Sequence, residues 1–557
     1  MRTDTAPEAA PLGFPEATPD KGLKGGALGL VSSIVVGIAS TAPAYSLAAS
    51  LGLVVATTSG AGIVGVKAPS IMLLAFVPML LIAIAYQELN KAEPDCGTTF
   101  TWAARAFGPR MGWMGGWGII AADVIVMANL AAIAGEYSFR LVGLDSLADS
   151  TLWSTLAGVV WIAAMSWICY RGIEVSARLQ SMLLAIEIVV LLVFSVVALV
   201  KVYNGSAPAG ALHPSLSWLV PSGMSLGTMS TATLAAVFIY WGWDTAVSVN
   251  EETKDPHTTP GRAAVLSTLL LLATYALVSV ATVAFAGVGD SGIGLANADN
   301  SSDVFKVLGG SVFGGSALGQ AMAKLLIISV LTSSAASTLT TILPTARTGL
   351  SMGAYRALPR AFSRIHREYL TPTVSTVWMG IVSVAFYVGM TLVSSNILTD
   401  TIGAVGLLIA FYYGMTGFAC VWFYRKSLTD SPRNLVLRGI VPGLGGLLLL
   451  GAFVKASFVY ADPNYGSTKF FGIGGVFVTG IGSLALGVLL LLVWQRIAPE
   501  FFRGQTLPRR GAHDLVLAGL PAEPEDGLRL PDSGLPDIVI APDLSNLPPG
   551  ATVERLE

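Results

Sequence analysis

The sequence predicts an all-α membrane protein with about twelve transmembrane helices. Hydrophobic residues make up 53% of the 557 positions and charged residues only 12%, about half the charged share of an ordinary globular chain. The apolar residues are gathered into blocks of roughly 20 residues, the length that a helix needs to cross a bilayer. Because lipid offers no partner to backbone N–H and C=O groups, each block is interpreted as a helix.

Twelve apolar blocks follow one another along the chain. They are Leu28–Leu53, Pro69–Leu89, Trp113–Tyr137, Leu152–Cys169, Leu179–Val202, Gly227–Val249, Ala263–Ala286, Leu318–Leu343, Val374–Val393, Leu398–Phe423, Gly439–Val459 and Phe470–Trp494. They are numbered helix 1 to helix 12 in this order.

Basic residues are concentrated in the two terminal segments and in the loops that follow the even-numbered helices. Examples are Lys21 and Lys24 before helix 1 and the run from Arg356 to Arg367 between helices 8 and 9. The other loops hold only scattered cations such as Lys67 and Lys306. This bias predicts a multi-pass protein of the cell membrane, surrounded by lipid, with both termini in the cytoplasm.

Several function classes lack their usual residues in this chain. The net charge of −2 gives no reason to expect a nucleic-acid partner. All four histidines lie outside the apolar blocks, the three cysteines form no CxxC pair, and no HExxH motif occurs. We therefore expect no enzyme activity, no metal site and no cofactor.

Two of the helices contain residues that interrupt a helix. Helix 1 carries the run from Gly37 to Pro43, and Pro43 lacks a backbone donor. Helix 6 carries the run from Tyr240 to Asp244, with Gly242 as its flexible point. Interrupted helices in corresponding halves of a chain point to a transport site. The alternative is that glycine and proline merely permit close helix packing.

Three acidic residues lie well inside apolar blocks, away from the block ends, namely Asp123 in helix 3, Glu187 in helix 5 and Asp244 in helix 6. A charge at the bilayer centre costs at least ~2.5 kcal/mol on insertion scales. Such residues therefore face a cavity or a partner, or they are protonated or internally paired structural acids.

Over roughly residues 28 to 494 the chain resembles the amino acid–polyamine–organocation (APC) superfamily of permeases. Three stretches carry the resemblance. They are Tyr86–Leu89 with Pro94, Gly97 and Phe107-Gly108; Tyr240–Asp244 with Glu251–Pro256; and Thr345–Arg347 with Met352-Gly353, Leu358–Phe362 and Thr371-Pro372.

The resemblance implies a leucine-transporter-like core, in which helices 1–5 and 6–10 form a five-plus-five inverted repeat with broken helices 1 and 6. The core would span residues 25–426, and two appended helices would occupy 427–497. A cytoplasmic N-terminal tail (1–24) and a disordered cytoplasmic C-terminal tail (498–557) would flank them.

The resemblance also implies a substrate site between helices 1, 3, 6 and 8. Carried over residue by residue, this site comprises Ile38, Ala39, Ser40, Thr41 and Ala42 of helix 1 and Ile239, Tyr240, Trp241 and Gly242 of helix 6. Many family members have Gly-Ser-Gly where this chain has Ser40-Thr41-Ala42, and side chains at Ser40 and Ala42 would crowd a carboxylate held against the backbone. This departure favours an amine substrate, with Asp123 binding its ammonium group beside the aromatic residues of helix 6.

Glu187 stands where many proton-coupled members of the superfamily have a lysine. We expect Glu187 to carry the coupling proton and assign Asp244 to ion or proton coupling as well.

The leading prediction is a proton-coupled secondary transporter of amino acids or related amines that works by alternating access. Sodium coupling, amino-acid exchange and transport of a polyamine or another organic cation stay open. A substrate sensor that does not transport is the alternative from another class.

Overall fold

The structure is a computed structural model that describes residues 20–59, 62–300, 303–393 and 397–509. Within these residues, eleven helices are long and apolar enough to cross a bilayer, and helix 6 adds a twelfth segment made of shorter pieces. The prediction of an all-α protein with about twelve membrane helices is confirmed. The predicted tails up to residue 19 and from residue 510 lie outside the described residues.

The membrane helices have the following bounds. Helix 1 is Leu30–Ser40 and Pro43–Ala56, helix 2 Ala68–Ala92, helix 3 Pro109–Leu141, helix 4 Thr151–Arg171, helix 5 Ile173–Tyr203, and helix 6 Leu226–Val237, Phe238–Tyr240 and Thr245–Ser248. Helix 7 is Thr259–Ala286, helix 8 Ala317–Ala354, helix 9 Thr373–Val393, helix 10 Ile397–Phe423, helix 11 Pro432–Ala461 and helix 12 Gly475–Ile497.

Short elements connect these helices. They are the α-helices Thr99–Phe107, Asp145–Ala148, Val304–Phe313 and Pro499–Phe502, the 3₁₀ turns Gly65–Lys67, Leu216–Leu219, Asn250–Glu252 and Arg360–Ser363, and the antiparallel strand pairs Thr58–Ser59 with Gly62–Ile63 and Lys469–Phe470 with Ile473–Gly474.

Helix 8 is longer than its apolar block, which predicted an end at Leu343 rather than at Ala354. The last turns carry polar side chains, including Arg347 and Ser351, that hydropathy alone assigns to a loop. These side chains are buried and bonded inside the protein, so the helix continues past them. Helix 3 packs along much of helix 8. The close approach needs a glycine at position 116, since a Cβ there would lie only 2.7 Å from the Met352 sulfur.

The described parts of both terminal segments lie at the same end of the helix bundle, here called the termini end. Leu28 pairs with Thr253, which follows helix 6. At the other terminus, Phe501 and Leu507 are buried, so residues 498–509 are ordered rather than disordered as predicted for the whole segment 498–557. Burial of these two side chains against Phe100 and its neighbours explains the difference.

Candidate functional site

Helix 1 is broken at the predicted place. Thr41 and Ala42 leave the helix, and Ala42 adopts a left-handed backbone with φ +47°. Pro43 then begins the second half of the helix, where its missing N–H costs nothing because first-turn donors have no partner within a helix. The Thr41 hydroxyl donates to the Ile38 carbonyl at 2.8 Å and so satisfies part of the opened backbone.

Helix 6 is broken at Trp241 and Gly242. A 3₁₀ turn ends at Tyr240, Trp241 is extended, and Gly242 has φ +114°, a conformation that side-chain-bearing residues rarely adopt. A Cβ at Gly242 would also lie 2.8 Å from the carbonyl oxygen of Ser40. The absence of a side chain therefore allows the two breaks to touch.

The two breaks are joined by hydrogen bonds to each other and to helix 8. The hydroxyls of Ser40 and Thr245 lie 2.9 Å apart, and Ser337 donates to the Ser40 carbonyl at 2.9 Å. Pro344 has no N–H to offer the Thr340 carbonyl four residues earlier, and the Thr245 hydroxyl lies 3.4 Å from that oxygen. Residues 38–45 and 238–245 are called the broken-helix centre from here on.

Helix 7 also contacts the broken-helix centre. The Tyr275 hydroxyl donates to the Ile239 carbonyl at 2.6 Å, and its ring meets that of Tyr240 edge to face at 5.0 Å. All nine predicted substrate-site residues of helices 1 and 6 are buried here. They are Ile38, Ala39, Ser40, Thr41, Ala42, Ile239, Tyr240, Trp241 and Gly242.

Glu187 lies at the start of the second half of helix 1. Its Oε1 accepts hydrogen bonds from the Ala44 backbone N–H at 2.6 Å and from the Ser333 hydroxyl at 2.8 Å. Ser333 in turn accepts from the N–H of Tyr45, and the following N–H is bonded within the chain of helix 1. With Pro43 lacking a donor, protein groups occupy every N–H of this first turn. A carboxylate at a helix N-terminus is also favoured by the helix dipole.

Asp244 is the acid that lies among aromatic side chains. Its carboxylate accepts from the hydroxyls of Tyr413 at 2.8 Å and Tyr412 at 3.3 Å. The Trp241 indole N–H donates to the Tyr412 hydroxyl, and the Trp243 ring lies 5.0 Å from the ring of Tyr413. Asp244 therefore links helix 6 to helix 10.

Asp123 is buried against helix 8. Its carboxylate accepts from the Thr345 hydroxyl at 2.5 Å. Asn129, further along helix 3, accepts from the Tyr45 hydroxyl at 2.5 Å and lines the cavity at the far end of the bundle. The structure thus brings Asp123 to helix 8, while Asn129 meets helix 1.

A cavity of about 460 Å³ opens at the end of the bundle opposite the termini end, and it is called the vestibule. Its floor includes Tyr45, which belongs to the broken-helix centre. Its lining is rich in acidic side chains, with Lys306 as the cation. The acidic residues are Glu136, Asp149, Asp299 and Asp303. Burial raises the pKa of Asp303 to about 6.

The termini end is closed by three ion pairs around two buried cations, which together are called the closing cluster. Lys21 Nζ lies 2.9 Å from Asp95 and 2.6 Å from Glu251. Arg347 makes two hydrogen bonds of 2.8 Å to Glu252, and both side chains are fully buried. The cluster joins the N-terminal segment, the loop after helix 2, the end of helix 6 and helix 8.

Asp95 is the most highly bonded member of the closing cluster. It also accepts from the hydroxyls of Ser351 at 2.8 Å and Tyr355 at 2.9 Å. Burial alone would raise the pKa of Asp95, but the Lys21 ammonium and these hydrogen bonds hold it below its usual value. Burial alone would lower the pKa of Lys21, and the charges of Asp95 and Glu251 raise it well above its usual value.

Asp95, Cys96 and Glu251 place three potential metal ligands within 4.8 Å of one another. The Lys21 ammonium already donates hydrogen bonds to both carboxylates, so it occupies the position that a metal ion would take between Asp95 and Glu251.

Sequence reasoning missed the partners of the predicted residues. Ser333 and Ser337 of helix 8, Tyr275 of helix 7 and the tyrosine pair of helix 10 were not singled out. The dense run of serine and threonine from Ser329 to Thr348 in helix 8 was the available signal, since hydroxyls in a membrane helix serve as partners for broken backbone.

Comparisons with known proteins agree with this architecture. A family model described as amino acid permease matches residues 28–494. An uncharacterized transporter of Mycobacterium tuberculosis is 26% identical over 83% of this chain and 90% of its own length. The branched-chain amino acid permease BcaP of Bacillus subtilis is 24% identical, over 73% of this chain and 84% of its own. The arginine/ornithine antiporter of Latilactobacillus sakei is 22% identical, over 80% and 95% respectively.

The family model spans most of the chain, which confirms the resemblance to APC permeases, and this protein belongs to the amino acid permease family.

Proposed function

We propose that this protein is a secondary transporter that carries amino acids or related amines across the cell membrane by alternating access. The contact between the two helix breaks, at Ser40 and Gly242, carries the proposal. Discontinuous helices that meet near the middle of the membrane form the solute site and the pivot of many transporters. The family of the chain and its similarity to permeases support the same function.

The different states of the two ends fit one step of such a cycle. The vestibule reaches down to Tyr45, whereas the closing cluster seals the termini end. The distribution of basic residues supports a cytoplasmic location for the termini end. In this assignment the conformation is open to the outside and closed to the inside, and transport requires the closing cluster to separate.

The substrate that fits this site best carries an ammonium group. Protein groups occupy the first-turn N–H groups of the second half of helix 1, so they are not free for a substrate carboxylate. Two buried acids, Asp123 and Asp244, and the tyrosine and tryptophan rings of helix 6 favour a cation. These observations also favour the second candidate function, a carrier for polyamines or other organic cations.

Two aromatic side chains of the broken-helix centre have polar atoms available for a ligand. Among the described residues, the Tyr240 hydroxyl and the Trp243 indole N–H are buried and have no hydrogen-bond partner. Buried polar atoms are normally bonded, so a substrate or bound water is the expected partner.

We assign the coupling proton to Glu187. The residue is fully buried, and its Oε2 has no partner among the described residues, although Oε1 accepts two hydrogen bonds. A proton on Oε2 neutralises the carboxylate without disturbing the bonds to Oε1. Asp244 is the second buried acid assigned to coupling, and sodium at Glu187 is the competing assignment. The protein acts as a carrier and performs no catalytic step.

The test is uptake by the purified protein in liposomes. Labelled amino acids and amines are presented with an inward proton gradient, with an inward sodium gradient and without a gradient, and protein-free liposomes are the control. Uptake of an amine that only the proton gradient stimulates is the expected result. Stimulation by sodium alone would move the assignment from a proton to sodium.

Two further outcomes separate the remaining functions. Flux that appears only when the liposomes are preloaded with a counter-substrate identifies an exchanger. No flux under any condition, together with a substrate-induced rise in melting temperature, would overturn the transporter proposal in favour of a sensor.

A further inference from the structure

A groove runs along the outer surface of the bundle between helices 4 and 9. It encloses about 850 Å³, which lies within the ~300–1,000 Å³ range of ligand pockets. Its walls are mainly apolar, and several of their side chains are more than 40% exposed, such as Trp167, Val377 and Ile381. Since this surface faces away from the other helices, its natural surroundings are lipid chains.

The groove exists because small side chains line its floor. A Cβ at Gly380 of helix 9 would lie 2.8 Å from the Ser166 hydroxyl of helix 4. The Ser166 hydroxyl is buried and has no partner among the described residues.

Aromatic side chains form the rim of the groove at the termini end. The His366 ring stacks on Tyr369 at 4.3 Å and meets the Tyr170 ring at 5.3 Å. His366 Nδ1 accepts the backbone N–H groups of Glu368 and Tyr369, each at 3.1 Å. The neutral ring therefore carries its proton on Nε2, which points the hydrogen-bond donor of His366 away from its own loop.

The same rim carries positive charge without a matching acid. The Arg171 guanidinium lies 5.1 Å from the Tyr369 ring centre and 5.9 Å from that of Trp167. Within the described residues, no carboxylate lies within salt-bridge distance of Arg171, and the nearby Glu174 is paired with Lys24 at 2.9 Å. An anion supplied from outside the protein would complete this site.

We propose that the groove between helices 4 and 9 binds an anionic phospholipid, with an acyl chain between the helices and the phosphate at Arg171 and His366 Nε2. The apolar walls match the chain, and the basic rim matches the headgroup. A guanidinium binds phosphate through two parallel N–H groups, which a zwitterionic headgroup with its own ammonium satisfies less well. The inference goes beyond the transport function and does not depend on it.

The headgroup half of the site is tested by native mass spectrometry of the full-length protein in detergent, titrated separately with phosphatidylglycerol and phosphatidylcholine. The wild type is expected to retain one phosphatidylglycerol at a lower concentration than phosphatidylcholine. Arg171→Gln should weaken phosphatidylglycerol retention about tenfold and leave phosphatidylcholine unchanged. The control is Arg425→Gln, since Arg425 also lies over a tryptophan ring, that of Trp422 at 4.8 Å, but in the turn after helix 10.

The acyl-chain half is tested with a matched pair on helix 4. Ala163→Phe fills the groove, because Ala163 is exposed and lines it, whereas the equally exposed neighbour Ala164 is not part of its lining. Ala163→Phe should reduce the retention of both lipids at this site, and Ala164→Phe should behave as the wild type.

Three outcomes would overturn the inference. One is unchanged phosphatidylglycerol retention in Arg171→Gln and Ala163→Phe. Another is displacement of phosphatidylglycerol by an equal concentration of glycerol phosphate, which would reduce the site to a phosphate site without a chain. The third is a dimer in the mass spectrum that Ala163→Phe dissociates, which would make the groove an interface between two copies of the chain.

Discussion

The carboxylate of Glu187 accepts a hydrogen bond from the first backbone N–H of the second half of helix 1, with 2.6 Å between its Oε1 and the amide nitrogen of Ala44. A half-helix that starts inside a membrane exposes donors and the positive end of its dipole. In this protein the carboxylate of Glu187, a side chain of helix 5, lies at that positive end. A change in the charge of Glu187 would therefore change how strongly this helix end is stabilised.

The first prediction concerns proton coupling. Glu187→Gln keeps a carbonyl oxygen for the Ala44 N–H but cannot bind or release a proton. Uptake driven by a proton gradient should fall at least about tenfold, while exchange between preloaded liposomes and the medium should persist. Glu174→Gln, at the exposed start of the same helix, is the control. Wild-type gradient-driven uptake with an unchanged pH profile in Glu187→Gln would remove the coupling role.

The second prediction concerns recognition of the ammonium group. Asp123→Asn should weaken binding of a charged amine about tenfold or more, because the amide cannot balance the positive charge. Binding of an uncharged analogue should change little. The measurement is the ligand-induced shift in melting temperature across a concentration series, with Asp145→Asn as an exposed control. Equal losses for charged and neutral ligands would point instead to a structural role through Thr345.

The third prediction concerns the contact between the two breaks. Gly242→Ala forces a side chain into a backbone of φ +114° and to within 2.8 Å of Ser40. We expect a loss of roughly 1–3 kcal/mol in stability and loss of uptake. Gly389→Ala in helix 9 is the control, because nothing lies within 4 Å of its Cβ position. Full activity of Gly242→Ala in liposomes would show that the breaks need not touch.

The fourth prediction uses Cys96 as a reporter of the closing cluster. Its thiol is buried, and burial raises its pKa well above the usual value, so it should react slowly with a polar thiol reagent. In a background with Cys169→Ser and Cys420→Ser, Lys21→Met should increase the labelling rate at least about tenfold.

The control for that experiment is Lys24→Met. The ion pair of Lys24 with Glu174 is nearly half exposed, so its loss should leave Cys96 protected. Equal labelling rates in the two variants would mean that Lys21 does not hold the termini end closed.

The fifth prediction follows from the charges in the same cluster. Without the Lys21 ammonium, Asp95 loses the two largest contributions that lower its pKa and keeps only those of its remaining hydrogen bonds. We therefore expect burial to raise its folded-state pKa above the unfolded value. Such a group binds its proton more tightly in the folded state, so the variant loses stability as the pH rises. Lys21→Met should therefore lower the melting temperature more at about pH 8 than at about pH 5.

In the wild type, the Lys21 ammonium keeps the pKa of Asp95 below its usual value, so the contribution of Asp95 is present at both pH values. Lys24→Met should give the same small shift at both. A Lys21→Met effect that is independent of pH would show that Asp95 does not depend on Lys21 for its charge.

The membrane helices and the two helix breaks could be predicted from the sequence. The apolar blocks located the membrane helices, and Pro43 and Gly242 located the breaks, because each of these signals depends on neighbouring residues alone. There were two exceptions. Helix 8 continues past its apolar block through buried polar residues such as Arg347, and the segment after helix 12 is held in place by buried apolar residues such as Phe501.

The sequence by itself determined the membrane class, the helix order, the breaks and the three buried acids as candidates. Only the tertiary structure decided which partner each buried charged side chain has. Lys21 pairs with Asp95 and Glu251 across 74 and 230 residues, and Glu187 meets Ala44 across 143. A buried charge is stable only beside its partner, and packing of distant helices, rather than spacing along the chain, selects that partner.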